Sequence, residues 1–149
     1  MLLFKLNLFL LFKLPAAFFC GVRVKAINEN SCISSVKYKW INQNPFNSLY
    51  FAVLAMAAEL TTGVLVMYYI KKHRVNMSML VTANQSLFTK KAVGRINFTC
   101  NQGKEIEKVI LNAIETKEAQ QIELISIGIN TVNEQVAEMK FQWSIKVRS

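Results

Sequence analysis

With 149 residues the chain has room for one domain with a substantial core and too few for two ordinary ones. Hydrophobic residues make up 52% and charged residues only 18%, which excludes a disordered tail and leaves either a well-buried core or a membrane association. The formal charge of +9, from 18 Lys and Arg against 9 acids that are all Glu, favours anionic partners, but the basic residues are scattered in pairs (Lys71 and Lys72, Lys90 and Lys91), which argues against a nucleic-acid-binding arm.

The first segment, residues 1–19, resembles a secretory leader only superficially: Lys5 and Lys13 interrupt it, and its longest apolar run, residues 8–12, is too short for a leader core. The pattern predicts an amphipathic helix over residues 1–14 ended by Pro15, the one part of the chain expected to touch a membrane surface. Alternation over residues 21–38 predicts a hairpin turning at 28–31. Residues 42–48 are polar, contain Pro45 and offer Asn47 and Ser48 for a helix start.

Residues 49–70 then form the longest apolar stretch, about enough to span a bilayer and followed by Lys71, Lys72, His73 and Arg74. Glu59 sits near its middle, where a lipid-exposed carboxylate would cost about 2.5–3.5 kcal/mol. The strands around it need a helix to cover them, so a helix buried by its own sheet is favoured over a single-span membrane protein. Strands are predicted at 77–89 and 93–100, joined near 90–94, then a Lys- and Glu-rich helix at about 104–118 on the outside of the sheet, then a hairpin of 121–132 and 135–147. The whole is expected to be one α+β domain over residues 1–149, a long central apolar helix wrapped by an antiparallel β-sheet, with an N-terminal helix and one inserted helix.

Cys20, Cys32 and Cys100 are odd in number and lack Cys-x-x-Cys spacing, and His73 is the only histidine, so neither a disulfide scaffold nor a metal site is supported. Free thiols among apolar neighbours fit a cytoplasmic protein.

Between Asn30 and Lys104 the only acidic side chain is Glu59, on the most apolar helix of the chain. A carboxylate there is costly unless paired, hydrated or used in chemistry, and the residues alone weigh a structural Glu and a functional one about equally. Helical spacing puts the small residues Ala52, Ala55, Thr62 and Gly63 on or beside its face, leaving room for a narrow ligand or another backbone.

The stretch NQNPFNSLYFAVLAMAAELTTG (42–63), with PAAFFCGVRV (15–24), SVKYKW (35–40), FTKKA (88–92) and QWSIKV (142–147), resembles an uncharacterised bacterial branch of the hotdog superfamily, similar to the phenylacetyl-CoA type of acyl-CoA thioesterases. The resemblance implies a hotdog fold and hydrolysis or binding of acyl-CoA or another acyl thioester, with coenzyme A arriving as part of the substrate and no separate cofactor. It implies a homodimer or a dimer of dimers. It also implies that Asn44, in the loop before the helix, and Glu59, fifteen positions later, are the catalytic pair: the acid activates water or attacks the thioester, and the amide orients it. Backbone N–H groups at the helix start would polarise the thioester carbonyl. The family usually has His-Gly-Gly there, where this chain has Tyr50, Phe51 and Ala52, a departure that narrows the site and keeps open a non-catalytic module that binds acyl-CoA or a fatty acyl group. Ser78 on the following strand is the candidate to complete the site, and Lys90, Lys91 and Arg95 are candidates for the coenzyme A phosphates, alongside Lys71, Lys72 and Arg74.

A helix starting near Ser48 and rising about 1.5 Å per residue carries Glu59 roughly 16 Å from the loop, too far for both ends to grip one thioester within one chain. Two copies side by side would bring Asn44 of one near Glu59 of the other.

Overall fold

Six segments that alternate apolar and polar side chains form one antiparallel sheet in the computed structural model, which describes residues 2–148; Met1 and Ser149, at the ends of the expected domain, lie outside the described residues. The strands are β1 (Arg23–Ile27), β2 (Cys32–Lys37), β3 (Met77–Phe88), β4 (Arg95–Cys100), β5 (Gln120–Ile129) and β6 (Gln135–Val147), in spatial order β1-β2-β4-β5-β6-β3. The helices are α1 (Leu2–Lys13), α2 (Pro15–Phe19), α3 (Phe51–Lys72) and α4 (Gly103–Thr116).

Helix α3 is apolar around its whole circumference because the sheet packs along most of it. Val53, Leu54, Leu60, Val64, Leu65 and Val66 are buried, each such side chain contributing about 1.5–3 kcal/mol on leaving water. By length and a mean hydropathy of 1.7 this helix could cross a membrane, yet most of it is enclosed by its own domain. Three polar ties fix its rotation against the strands. Ser34 Oγ donates to the Ala57 carbonyl at 2.6 Å, Thr61 and Ser126 share a hydroxyl bond of 2.8 Å, and Trp143 Nε1 donates to Thr62 Oγ1 at 3.0 Å.

The β1–β2 hairpin turns where the sequence places it, with Asn28 Oδ1 accepting from the Asn30 and Ser31 amides. Strands β3 and β4, consecutive in the chain, do not pair. β3 is the edge next to β6, and β4 lies between β2 and β5, so residues 89–94 cross from one side of the fold to the other. That crossing docks against the loop before α3, the Leu49 amide donating to the Ala92 carbonyl at 2.9 Å.

Helix α4 is placed differently from the expectation of an outer-surface insertion. It packs on the same face of the sheet as α3, burying Ile106, Ile110 and Ala113 against α3 and β5, and Glu107 holds Lys72 and His73 at 3.1 and 3.0 Å. Its first residue, Gly103, approaches the Glu29 carbonyl so closely that an added Cβ would lie 1.8 Å from that oxygen, so only glycine fits. Helix α1 also departs from its expected amphipathic pattern. Only Leu10 is fully buried, while Phe4 and Phe12 are each 71% exposed, because Leu and Phe occupy every phase of this helix. Pro15, which stops α1, opens α2 at the position where its missing N–H is harmless.

Candidate active site

Helix α3 begins at Phe51, three residues after the predicted start, because the loop before it is organised by its own asparagines. Asn42 is buried and bridges the chain: its Nδ2 donates to the Cys20 and Lys37 carbonyls at 2.8 and 2.9 Å, and its Oδ1 accepts from the Lys39 amide. Asn44 turns inward on the loop. Its Oδ1 accepts from the Phe46 amide at 2.9 Å and from Ser48, and its Nδ2 donates to Ser48 Oγ at 2.9 Å and to the Leu49 carbonyl. The side chain expected to orient substrate is therefore the structural centre of an Asx-type turn.

Tyr50 caps α3 through its carbonyl, which accepts from the Val53 and Leu54 amides. Among the described residues the amides of Phe51 and Ala52 have no protein acceptor, the ordinary state of the first turn of a helix. Phe51, but not Ala52, lines a cavity of about 340 Å³ whose walls also include Asn44, Tyr50, Phe88, Lys90 and Lys91. Three aromatic rings crowd this cavity, Tyr50 on Phe51 at 5.0 Å and Phe51 on Phe88 at 6.5 Å, both edge-to-face. Lys90 is ion-paired with Glu134, and Lys91 is exposed.

Glu59, two helical turns further along, is half-buried and lines two other cavities. One, of about 260 Å³, lies beneath Lys13, Leu14, Pro15 and Ala16, at the α1–α2 junction. The other, of about 70 Å³, is walled by Phe9, Leu14, Gly63, Met79 and Trp143. Among the described residues nothing donates a hydrogen bond to its carboxyl and no ion pair includes it; Thr62 is bonded to the Glu59 backbone carbonyl and to Trp143 instead. Burial raises the Glu59 pKa above the ordinary carboxylate value. Gly63, one turn on, makes room for the carboxyl, since a Cβ there would sit 3.2 Å from Oε1.

The cavities of Asn44 and Glu59 share no residue, so one chain does not bring the predicted pair together. Two expectations are corrected. Ser78 faces the outer side of the sheet, where its hydroxyl donates to the Lys146 carbonyl at 3.4 Å; its neighbour Met79 faces Glu59. Arg95 also lies away from the helix start, its guanidinium donating to Ser35 Oγ at 3.2 Å across β2 and β4. Sequence reasoning missed Leu14, Pro15, Met79 and Trp143 around Glu59. Of these, Trp143 carried a signal, as an inward-phased aromatic on β6.

Comparison with known proteins agrees with this architecture. The family described as Domain of unknown function (DUF4442) matches residues 5–145. A Pseudomonas aeruginosa protein of unknown function, named a probable thioesterase, superposes with a TM-score of 0.82 at 19% identity, covering 97% of this chain and 95% of that one. A Shewanella oneidensis protein put forward as a thioesterase gives 0.82 at 10% identity, covering 99% and 98%. A mutant Pseudomonas aeruginosa thioesterase gives 0.72 at 11% identity, covering 98% and 94%. At these identities the likeness shows the fold, which is the hotdog fold. No curated protein matches the chain by sequence.

Proposed function

The chain belongs to the DUF4442 family, whose description assigns no activity, and we propose that it hydrolyses acyl-CoA thioesters in a site shared by two copies of the chain. The observation that carries this reading is the Glu59 carboxyl, desolvated, unpaired among the described residues and open to a cavity. A structural Glu on a buried helix would have a partner; one that meets a cavity instead is suited to water and substrate.

Strand β3 supplies the geometric support for a shared site. It is a sheet edge over its whole 12-residue length, and such an edge is ready to pair with another strand. One end, Met79, lies beside Glu59, and the other end, Phe88, lies beside the start of α3. If two copies pair antiparallel through β3 about a two-fold axis, the Phe88 end of one meets the Met79 end of the other. Phe51, Ala52 and Asn44 of one copy then face Glu59 of its mate.

In that arrangement the Glu59 carboxylate takes a proton from a water molecule as the water oxygen bonds to the thioester carbonyl carbon. The Phe51 and Ala52 amides across the interface hold the oxyanion, Asn44 keeps their loop rigid, and collapse breaks the carbon–sulfur bond. The proton on Glu59 leaves with the coenzyme A sulfur. A raised pKa suits the task, because a desolvated carboxylate is a stronger base than an exposed one. Lys90 and Lys91 line the helix-start cavity and would meet the phosphates of a bound coenzyme A.

The ring of Phe51 against Phe88 favours a second reading, a module that binds acyl-CoA without turnover, because these rings occupy space that a thioester needs. Thiol release by the purified protein from a panel of short, long and aryl acyl-CoA thioesters, phenylacetyl-CoA included, separates the two. Turnover that disappears in Glu59→Gln supports hydrolysis, whereas saturable binding with no turnover supports the module.

A further inference from the structure

The small cavity at Glu59 does not end there. It shares Phe9, Val64 and Met67 with a third cavity, of about 250 Å³, that runs on between α1 and α3 to Lys5 and Lys71. On its other side it shares Leu14 and Leu60 with the cavity under the α1–α2 junction. The three follow one another along α3 beneath α1 as adjoining parts of an apolar groove, with Glu59 the only acid among the described residues that line them. Lys5 and Lys71 stand at its far end, where long stems can line an apolar wall while the ammonium groups stay in water.

We infer that this groove holds the linear fatty acyl chain of the ligand, with α1 as its roof. The inference rests on the reading of Glu59 as the reacting end only for the direction in which the chain runs. Three features support a flexible aliphatic occupant. The cavities succeed one another along α3, from Met56 and Glu59 through Val64 to Lys71, which fits a chain better than a ring. The groove walls include three methionines, Met56, Met67 and Met79, whose unbranched side chains adapt to a mobile occupant. Its roof is held by a pair of hydrogen bonds as well as by packing: Asn7 donates from Nδ2 to the Val24 carbonyl and accepts at Oδ1 from the Val24 amide, both at 3.0 Å. The roof residues Leu2, Leu6 and Phe9 that line the groove are apolar, as an aliphatic occupant requires.

Length follows from the helix. Glu59 to Met67 spans roughly 12 Å and Glu59 to Lys71 roughly 18 Å along α3, at about 1.5 Å per residue. An extended chain advances about 1.2 Å per bond, from the polypeptide repeat of about 3.6 Å over three bonds, so the groove takes about 10 to 15 carbons. Each methylene buried there multiplies affinity about fourfold.

The test measures binding in the Glu59→Gln protein, which removes turnover, by calorimetric titration with butanoyl-CoA and dodecanoyl-CoA, and with butanoate and dodecanoate. Dodecanoyl-CoA should bind at least 100-fold more tightly than butanoyl-CoA, and dodecanoate should likewise outbind butanoate, since the chain itself is recognised. Met67→Trp in the wall and, independently, Leu6→Trp in the roof should each cut the dodecanoyl-to-butanoyl ratio at least tenfold. Leu111→Trp, on the exposed side of α4, should leave that ratio unchanged. Equal binding of short and long chains overturns the inference, as does a long-chain preference that survives whichever of the two groove variants remains folded. Because binding is read without turnover, failure of hydrolysis in the wild type sinks the proposed function and not the groove, and loss of chain-length preference sinks the groove and not the hydrolysis.

Discussion

The two ends of the proposed reaction path treat their polar side chains in opposite ways. Asn44 has both amide atoms engaged by Phe46, Ser48 and Leu49 of its own loop, whereas the Glu59 carboxyl has no donor among the described residues and faces a cavity. Satisfaction of hydrogen bonds separates the roles: a fully engaged amide shapes the backbone that presents the Phe51 and Ala52 amides, and an unengaged carboxyl is free to act on a ligand. In the proposed site this matches the division that the family resemblance implies, Asn44 as the positioning residue and Glu59 as the reacting group.

The largest effect that would break or sharpen this contrast is Glu59→Gln. It should lower the hydrolysis rate at least 100-fold, since an amide cannot accept the proton, and thiol release checks it. The same change should raise stability at neutral pH, because it removes a desolvated charge. A gain of about 1 kcal/mol would appear as a Tm rise of roughly 2–4 °C. A variant that loses activity and also loses stability would mean that Glu59 holds the fold.

Next in size is recovery on mixing. Asn44→Ala and Glu59→Gln should each be at least tenfold down alone. Co-refolded, about half the dimers are mixed, each with one intact site, so roughly a quarter of wild-type activity should return. No recovery in a sample shown by mass spectrometry to contain mixed dimers would place both residues within one chain.

Smaller still is the stability change at the loop. Asn44→Ala should cost about 1–2 kcal/mol through its lost turn contacts, seen in urea denaturation. Asn44→Asp keeps the acceptor toward the Phe46 and Ser48 amides and should cost less. Equal costs would mean that the Nδ2 bonds to Ser48 and Leu49 dominate.

The smallest effect is in pH dependence. Glu59 must be ionised to act as base, so the acid limb of kcat/KM should fall with a midpoint above the ordinary carboxylate value of about 4.3. For stability the sign is the reverse of a salt-bridged acid. Since folding raises the Glu59 pKa, its contribution is full below the unfolded value and is lost as pH rises through the folded one. The Tm advantage of Glu59→Gln should therefore open from about pH 4 upward. An advantage that is the same at pH 3 and pH 8 would remove charge as its cause.

Local pattern carried much of this fold. Period-two alternation located β1, β2, β5 and β6 to within a few residues, the long apolar run located α3, and the absence of any other acid between Asn30 and Lys104 singled out Glu59 before any contact was known. Ser78 is a candidate by resemblance, and alternation along β3 cannot fix which face it takes. The register of β3 on β6 shifts between Val81 and Ala83, so Met79 and Val81 share the inner face with Asn84, Ser86 and Phe88, and parity counted from either end gives the wrong face at the other. The Lys- and Glu-rich pattern of α4 identified an amphipathic helix but not which sheet face its apolar stripe meets.

By itself, then, the sequence determined which segments are helix or strand and which carboxylate is out of place, because both follow from spacing along the chain and from the cost of charge among apolar neighbours. Only the tertiary structure decided that β3 lies at the edge, that the α1–α2 junction roofs Glu59, and that Asn44 bonds to its own loop. Those are contacts between segments far apart in the chain, or between atoms within a turn, and their partners are selected by packing and hydrogen-bond geometry that residue spacing does not encode.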